Sequence, residues 1–276
     1  MERLRNLYFN LKPVFDIYLF EIKLHIKKFI IFSIVTILLL IMSSFLPYIL
    51  FPTYQVPSTQ ADFYQGGLFN SLLIIIAVCL FFSGIICSEF KDKTGIIVFP
   101  KINKYKLITG KYLGNLTLVI GIASINYFIS ALICYFIYGD PLLDKLLLSF
   151  GFTVFYILAL SSMVSFFSSF MKSATLTTTI TLILLLFGTG IIDTFFMFGA
   201  PKIEPIYSLN YVRSIITYIL REDFFTMQRY VDFQFEGTFL FRSWLTPTMQ
   251  GALFVLSLYT IVFFLFGSLL FKRRQI

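Results

Sequence analysis

Charge is scarce in this chain of 276 residues. Asp, Glu, Lys and Arg make up 13% of it, 58% is apolar, and the mean hydropathy is +0.87. A soluble domain cannot hide so much apolar surface, because its perimeter grows with its core. Short alternating apolar and polar segments are missing as well, which excludes a membrane β-barrel. What remains are apolar runs of about 20 residues, long enough to cross a hydrocarbon core of about 30 Å. They must be helical, since no water is present there to satisfy the backbone.

Other absences narrow the chemistry. No GxxxxGK[ST] phosphate loop occurs, so the chain does not hydrolyse ATP by that route. The nearest string, Thr109–Gly110–Lys111, lacks the upstream glycine, and Gly110 reads as a loop or helix-start residue. The single histidine, His25, precedes the first apolar run, too far from any span serine to act as its base. No His/Cys/carboxylate cluster has metal-ligand spacing. Cys79, Cys87 and Cys134 all lie in apolar runs and read as small packing residues. No cleavable leader is expected, because some 28 mixed residues precede the first run. The net charge of +8 reads as span-flanking lysines rather than a nucleic-acid surface.

The pattern predicts six spans, at about 29–50, 67–88, 112–138, 142–170, 174–198 and 251–271, in one transmembrane domain covering 1–276. Residues 1–28 predict an amphipathic helix lying in the membrane interface, divided at Pro13 and bending into span 1. Pro47 should kink or end that span. Residues 89–111 form a loop with six lysines, and 199–250 form a long loop before span 6. Placing both termini in the cytosol puts sixteen of the 22 lysines and arginines inside and six outside, five of these in the long loop. The expected fold is therefore an all-α polytopic membrane protein with cytosolic termini, in a cell membrane and, by expectation, a prokaryotic plasma membrane.

Polar residues inside the spans are small. Span 4 carries Ser161, Ser162, Ser165, Ser168 and Ser169, span 5 carries Thr175, Thr177, Thr178, Thr179 and Thr181, and span 3 carries Asn126. Helix packing is one reading. Lining of a translocation path, by Asn126, Ser162, Ser165 and Thr178, is the other. Asp193 is an acid within a span, near its end, and a coupling-ion site is otherwise missing. A chain without its own energy source must receive energy from a partner.

The 89–111 loop is too apolar for a solvated linker. Ile96, Ile97, Val98 and Phe99 need a cover, and lysines surround them. The order is an acid ending span 2 (Glu89), Lys93–Thr94–Gly95, the strip Ile96–Phe99, Pro100, the basic Lys101–Lys106, then Gly110–Lys111 opening span 3. In this order and in its six-span layout the chain resembles the ABC type-2 transporter permeases. The strip is shorter than in many members, and lysines stand where an arginine often follows the proline.

The resemblance implies a permease subunit of an exporter, one that is not itself an enzyme. A second permease, identical or related, would complete the path. Two copies of a separate ABC ATPase would bind ATP and Mg, and each would seat a coupling helix from the 89–111 loop. Glu89, Lys93, Thr94, Gly95, Ile96, Ile97, Val98, Phe99, Pro100 and Lys111 are the expected coupling residues. It also implies short or re-entrant helices before span 6, where Leu209, Val212, Ile216 and Ile219 form a stripe; Phe239, Phe241 and Trp244 suit the membrane interface. Membrane lipid is a further expected partner, and nucleic acid is not. The competing reading is a stand-alone secondary carrier or channel working without an ATPase.

Overall fold

The computed structural model describes every residue except 1, 51–56, 58, 66–67, 92–102, 141, 200–202, 236–238 and 274–276. Among the described residues six helical segments are long and apolar enough to cross a membrane: Leu11–Leu46, Leu72–Phe90, Lys104–Tyr138, Leu143–Phe170, Ala174–Phe195 and Met249–Arg273. The molecule is a multi-pass α-helical membrane protein.

In chain order the elements are α1 (Glu2–Leu50), α2 (Gln60–Gln65), α3 (Leu68–Phe82), α4 (Cys87–Lys91), α5 (Lys104–Tyr138), α6 (Leu143–Phe170) and α7 (Ala174–Ile183). A π-helical turn, Leu184–Gly188, joins α7 to α8 (Thr189–Gly199). Then follow α9 (Leu209–Arg213), α10 (Ile215–Tyr218), strands β1 (Tyr230–Phe235) and β2 (Phe239–Trp244), and α11 (Met249–Arg273). Asn103 caps α5 by accepting the Tyr105 N–H at 2.9 Å, and Ser173 caps α7 by accepting that of Leu176 at 3.3 Å.

The core gathers on α6, which packs most extensively against α11 and also touches α3, α5 and α7. Its hydroxyls tie neighbours together. Tyr112 of α5 meets Ser161 at 2.7 Å and Ser162 at 3.2 Å, and Tyr127 meets Ser149 at 2.8 Å and Thr153 at 2.6 Å. Such pairs satisfy polar groups that hydrocarbon cannot.

Residues 2–28 are joined to span 1 in one unbroken helix. Pro13 does not divide them and Pro47 does not end the span: α1 is one helix of 49 residues, roughly 74 Å at 1.5 Å per residue. Its 14–29 stretch runs parallel to residues 110–121 of α5, and the reason lies in two glycines. A Cβ on Gly110 would sit 2.8 Å from the Ile17 Cβ and the Val14 carbonyl, and one on Gly114 would sit 2.9 Å from the Glu21 Cβ. Gly110 thus lies inside a helix, at the first position of a Gly-x-x-x-Gly contact, and is no loop residue. Helix α5 starts at Lys104, so the 89–111 loop loses its last eight residues to it.

Span 2 is interrupted, with a turn at 83–86 separating α3 from α4. Before span 6 the short helices α9 and α10 enter the core, burying Leu209, Val212, Ile215 and Ile219. Ile215 takes the place expected of Ile216 because the chain turns at Ser214 between the two helices. The Ile216 carbonyl accepts the Ser149 hydroxyl of α6 at 2.6 Å, two turns inside that helix. An antiparallel hairpin that the sequence reading did not foresee follows, with Tyr230 opposite Trp244 and Asp232 opposite Arg242.

Candidate functional site

One end of the bundle gathers the starts of α1 and α5, the short helix α4, and the ends of α6 and α11. Phe90 of α4 packs edge-on against Phe271 of α11 at 5.9 Å, and Lys104 lies over the same Phe271 ring at 5.7 Å. The re-entrant segment, the hairpin and an acidic cleft of about 570 Å³ bordered by Asp62, Asp140 and Asp223 belong to the opposite end. The loop end carries the densest set of charged side chains in the described core.

Its centre is an ion pair between Glu89 of α4 and Lys111 of α5. Glu89 is 7% exposed, and the Lys111 side chain is mostly covered. Glu21 of α1, 3% exposed, faces them from the third side. Asn115, one turn beyond Lys111, donates its amide both to Glu21 Oε1 at 3.1 Å and to the Lys111 carbonyl at 3.1 Å. His25, one turn after Glu21, places Nε2 3.3 Å from the same Glu21 oxygen. The His25 ring meets Phe81 of α3 edge-on at 6.0 Å. Lys111 lies close enough to act on the Glu21 charge as well as on Glu89. Three helices are thereby tied by one polar network. Glu21 Oε2, His25 Nδ1 and Asn115 Oδ1 have no protein hydrogen-bond partner within it.

The local reasons are plain in the chain. Gly114 lets α1 approach so closely that the side chains of Glu21 and Asn115 meet. Helical spacing sets Glu21 beside His25 and Lys111 beside Asn115, each pair four residues apart. Buried charge is costly unless paired and hydrogen-bonded, so the network holds α4 to α1 and α5 as a unit.

Of the expected coupling residues, Glu89 and Lys111 come together here. Lys93, Thr94, Gly95, Ile96, Ile97, Val98, Phe99 and Pro100 lie outside the described residues. The four expected path residues lie on three helices, α5, α6 and α7. Ser162 binds Tyr112, Thr178 bonds back to the Ala174 carbonyl at 2.9 Å, and Asn126 and Ser165 are buried on different helices. Asp193 accepts the Ser208 hydroxyl at 2.7 Å, joining α8 to the cap of α9. Among the described residues no group of three His, Cys, Asp or Glu could hold a metal ion.

The sequence reading missed Glu21, His25 and Asn115 as one site. The signals present were the Gly110–Gly114 spacing around Lys111 and the Glu21–His25 spacing one helical turn long. The chain matches no protein-family model and no curated protein.

Proposed function

We propose that this chain is the membrane-spanning subunit of an ATP-driven transporter, joined to a separate ATPase through the segment between α4 and α5. The observation that carries the reading is the buried Glu89–Lys111 pair, which clamps both flanks of that segment to each other. Glu21 and Asn115 extend the clamp to α1. A surface linker has no need of such anchorage. A segment that receives force does, because a push on a loose loop dissipates in the loop, whereas a push on a clamped one moves three helices.

Charge placement supports the same assignment. Lys104, Lys111, Lys172, Lys272 and Arg273 collect at the loop end, as expected of a cytosolic face. The apolar strip Ile96–Phe99 supplies a hydrophobic contact, and the lysines around it supply steering toward acidic groups on the ATPase. On this reading ATP and Mg belong to the partner, a second permease completes the path, and export is the direction the family resemblance favours.

The test is co-purification from the native membrane. An ATPase chain should accompany the protein, and deletion of Ile96–Phe99 should release it while leaving membrane insertion intact. Transport by the purified chain alone in liposomes, with no nucleotide, would instead establish a stand-alone carrier.

A further inference from the structure

The turn at 83–86 breaks span 2 one turn before Glu89, and a single side chain from another helix repairs the break. Ser168 of α6, fully buried, donates its hydroxyl to the Ser83 carbonyl at 2.8 Å. The same oxygen accepts the N–H groups of Ile86 and Cys87, each at 3.2 Å. One hydroxyl has one proton and two lone pairs, so Ser168 is used to capacity. Within the turn the backbone bonds are long or displaced: Ser88 N–H reaches Gly84 at 3.3 Å, Ile85 N–H reaches back only to Phe82, and Glu89 N–H only to Ile86. Cys87 donates its thiol to Ser83 at 3.1 Å and has no exposed surface.

An uninterrupted helix would need none of this. Broken helices persist in membrane proteins where neighbours satisfy the freed backbone. Here the neighbour contributes one side chain that bridges the break, bonding Ser83 at its start and Ile86 and Cys87 on the side that leads to Glu89. We propose that residues 83–86 are a hinge and that Ser168 is its latch, a positioning residue that holds α4 and ties its swing to α6. The latch's role in transport rests on the ATP-driven reading above, whereas the hinge itself does not.

Opening the hinge must part Ser168 from Ile86 and Cys87 and uncover the Cys87 thiol. The experiment uses the full chain in detergent micelles, with Cys79→Ala and Cys134→Ala leaving Cys87 as the single thiol, labelled by N-ethylmaleimide and followed by mass. Ser168→Ala should speed labelling roughly tenfold, the factor that losing about 1.4 kcal/mol of net hydrogen bonding from the three bonds together implies. Ser161→Ala, which removes a buried hydroxyl of the same helix away from the break, should leave the rate within about twofold. Equal rates for Ser168→Ala and the parent, or an equal rise in Ser161→Ala, would overturn the latch.

Should Ser168→Ala fail to accumulate, hydrogen exchange on the unaltered chain decides: amides 85–89 should exchange faster than 74–82, and equal protection would overturn the hinge. A second arm reconstitutes the chain with its ATPase. Ser168→Ala should retain ATP hydrolysis and carry less cargo per ATP, and an unchanged ratio would remove Ser168 from the transport cycle. An accelerated thiol with no ATPase in the complex would leave the hinge standing and overturn the coupling role.

Discussion

Lys111 stands 22 residues beyond Glu89 in the chain, yet the two side chains close an ion pair that joins α4 to α5. Removing one partner strands a mostly buried charge, at a cost of about 3–5 kcal/mol. Glu89→Gln and Lys111→Met should therefore each lower the thermal midpoint in detergent by several degrees. The double variant should recover part of the loss, since neither partner of the pair is left charged without the other. Additive losses in this cycle would show that the pair contributes nothing.

The two glycines of α5 give a sharper packing test. Gly110→Ala and Gly114→Ala drive a methyl to within 2.9 Å of α1 and should each destabilise by about 1–3 kcal/mol. Gly151→Ala meets nothing within 4 Å and should stabilise slightly, by up to about 1 kcal/mol, through helix propensity. Thermal unfolding of the three variants side by side checks the contrast.

The hairpin carries a pH dependence with a readable probe. Arg242 donates to both oxygens of Asp232, at 2.8 and 3.0 Å, and this holds the Asp232 carboxyl below its ordinary range. A carboxyl depressed by folding contributes stability above its unfolded pKa and loses that contribution as pH falls through the folded one. The hairpin should thus loosen only in acid, below the usual aspartate range. Arg242 also lies 3.8 Å above the Tyr230 ring and 5.8 Å from that of Trp244, the one tryptophan of the chain. Trp244 fluorescence should change over that acid window and lose the transition in Arg242→Gln.

Asp193 and Ser208 fix the entry of the re-entrant segment. Ser208 caps α9 through the Tyr211 N–H at 3.3 Å while donating to Asp193. Ser208→Ala should cost about 1 kcal/mol from the cap and raise hydrogen exchange across 209–220, with little change in α6. Asp193→Asn should have the smaller effect, because an amide oxygen still accepts the serine hydroxyl.

The spans were legible because hydrophobic length is a local property that the bilayer thickness alone interprets. The polarity of the 89–111 segment and the acid and lysine at its ends were legible for the same reason. The polar network was not. Glu21 and His25 sit in a stretch whose stripe fits an interfacial helix, and only the approach of α5 at Gly110 and Gly114 turns them inward. Ser168 looked like one packing serine among five until the break at 83–86 gave it three backbone partners.

The sequence by itself determined that the chain crosses a membrane as helices, since 18 or more apolar residues in water-free surroundings have no other way to satisfy their backbone. Tertiary structure alone decided which charges meet, where span 2 breaks, and that α1 continues unbroken alongside α5. Those outcomes depend on how closely two backbones approach, a distance set by pairs of residues some 90 positions apart, such as Glu21 and Asn115.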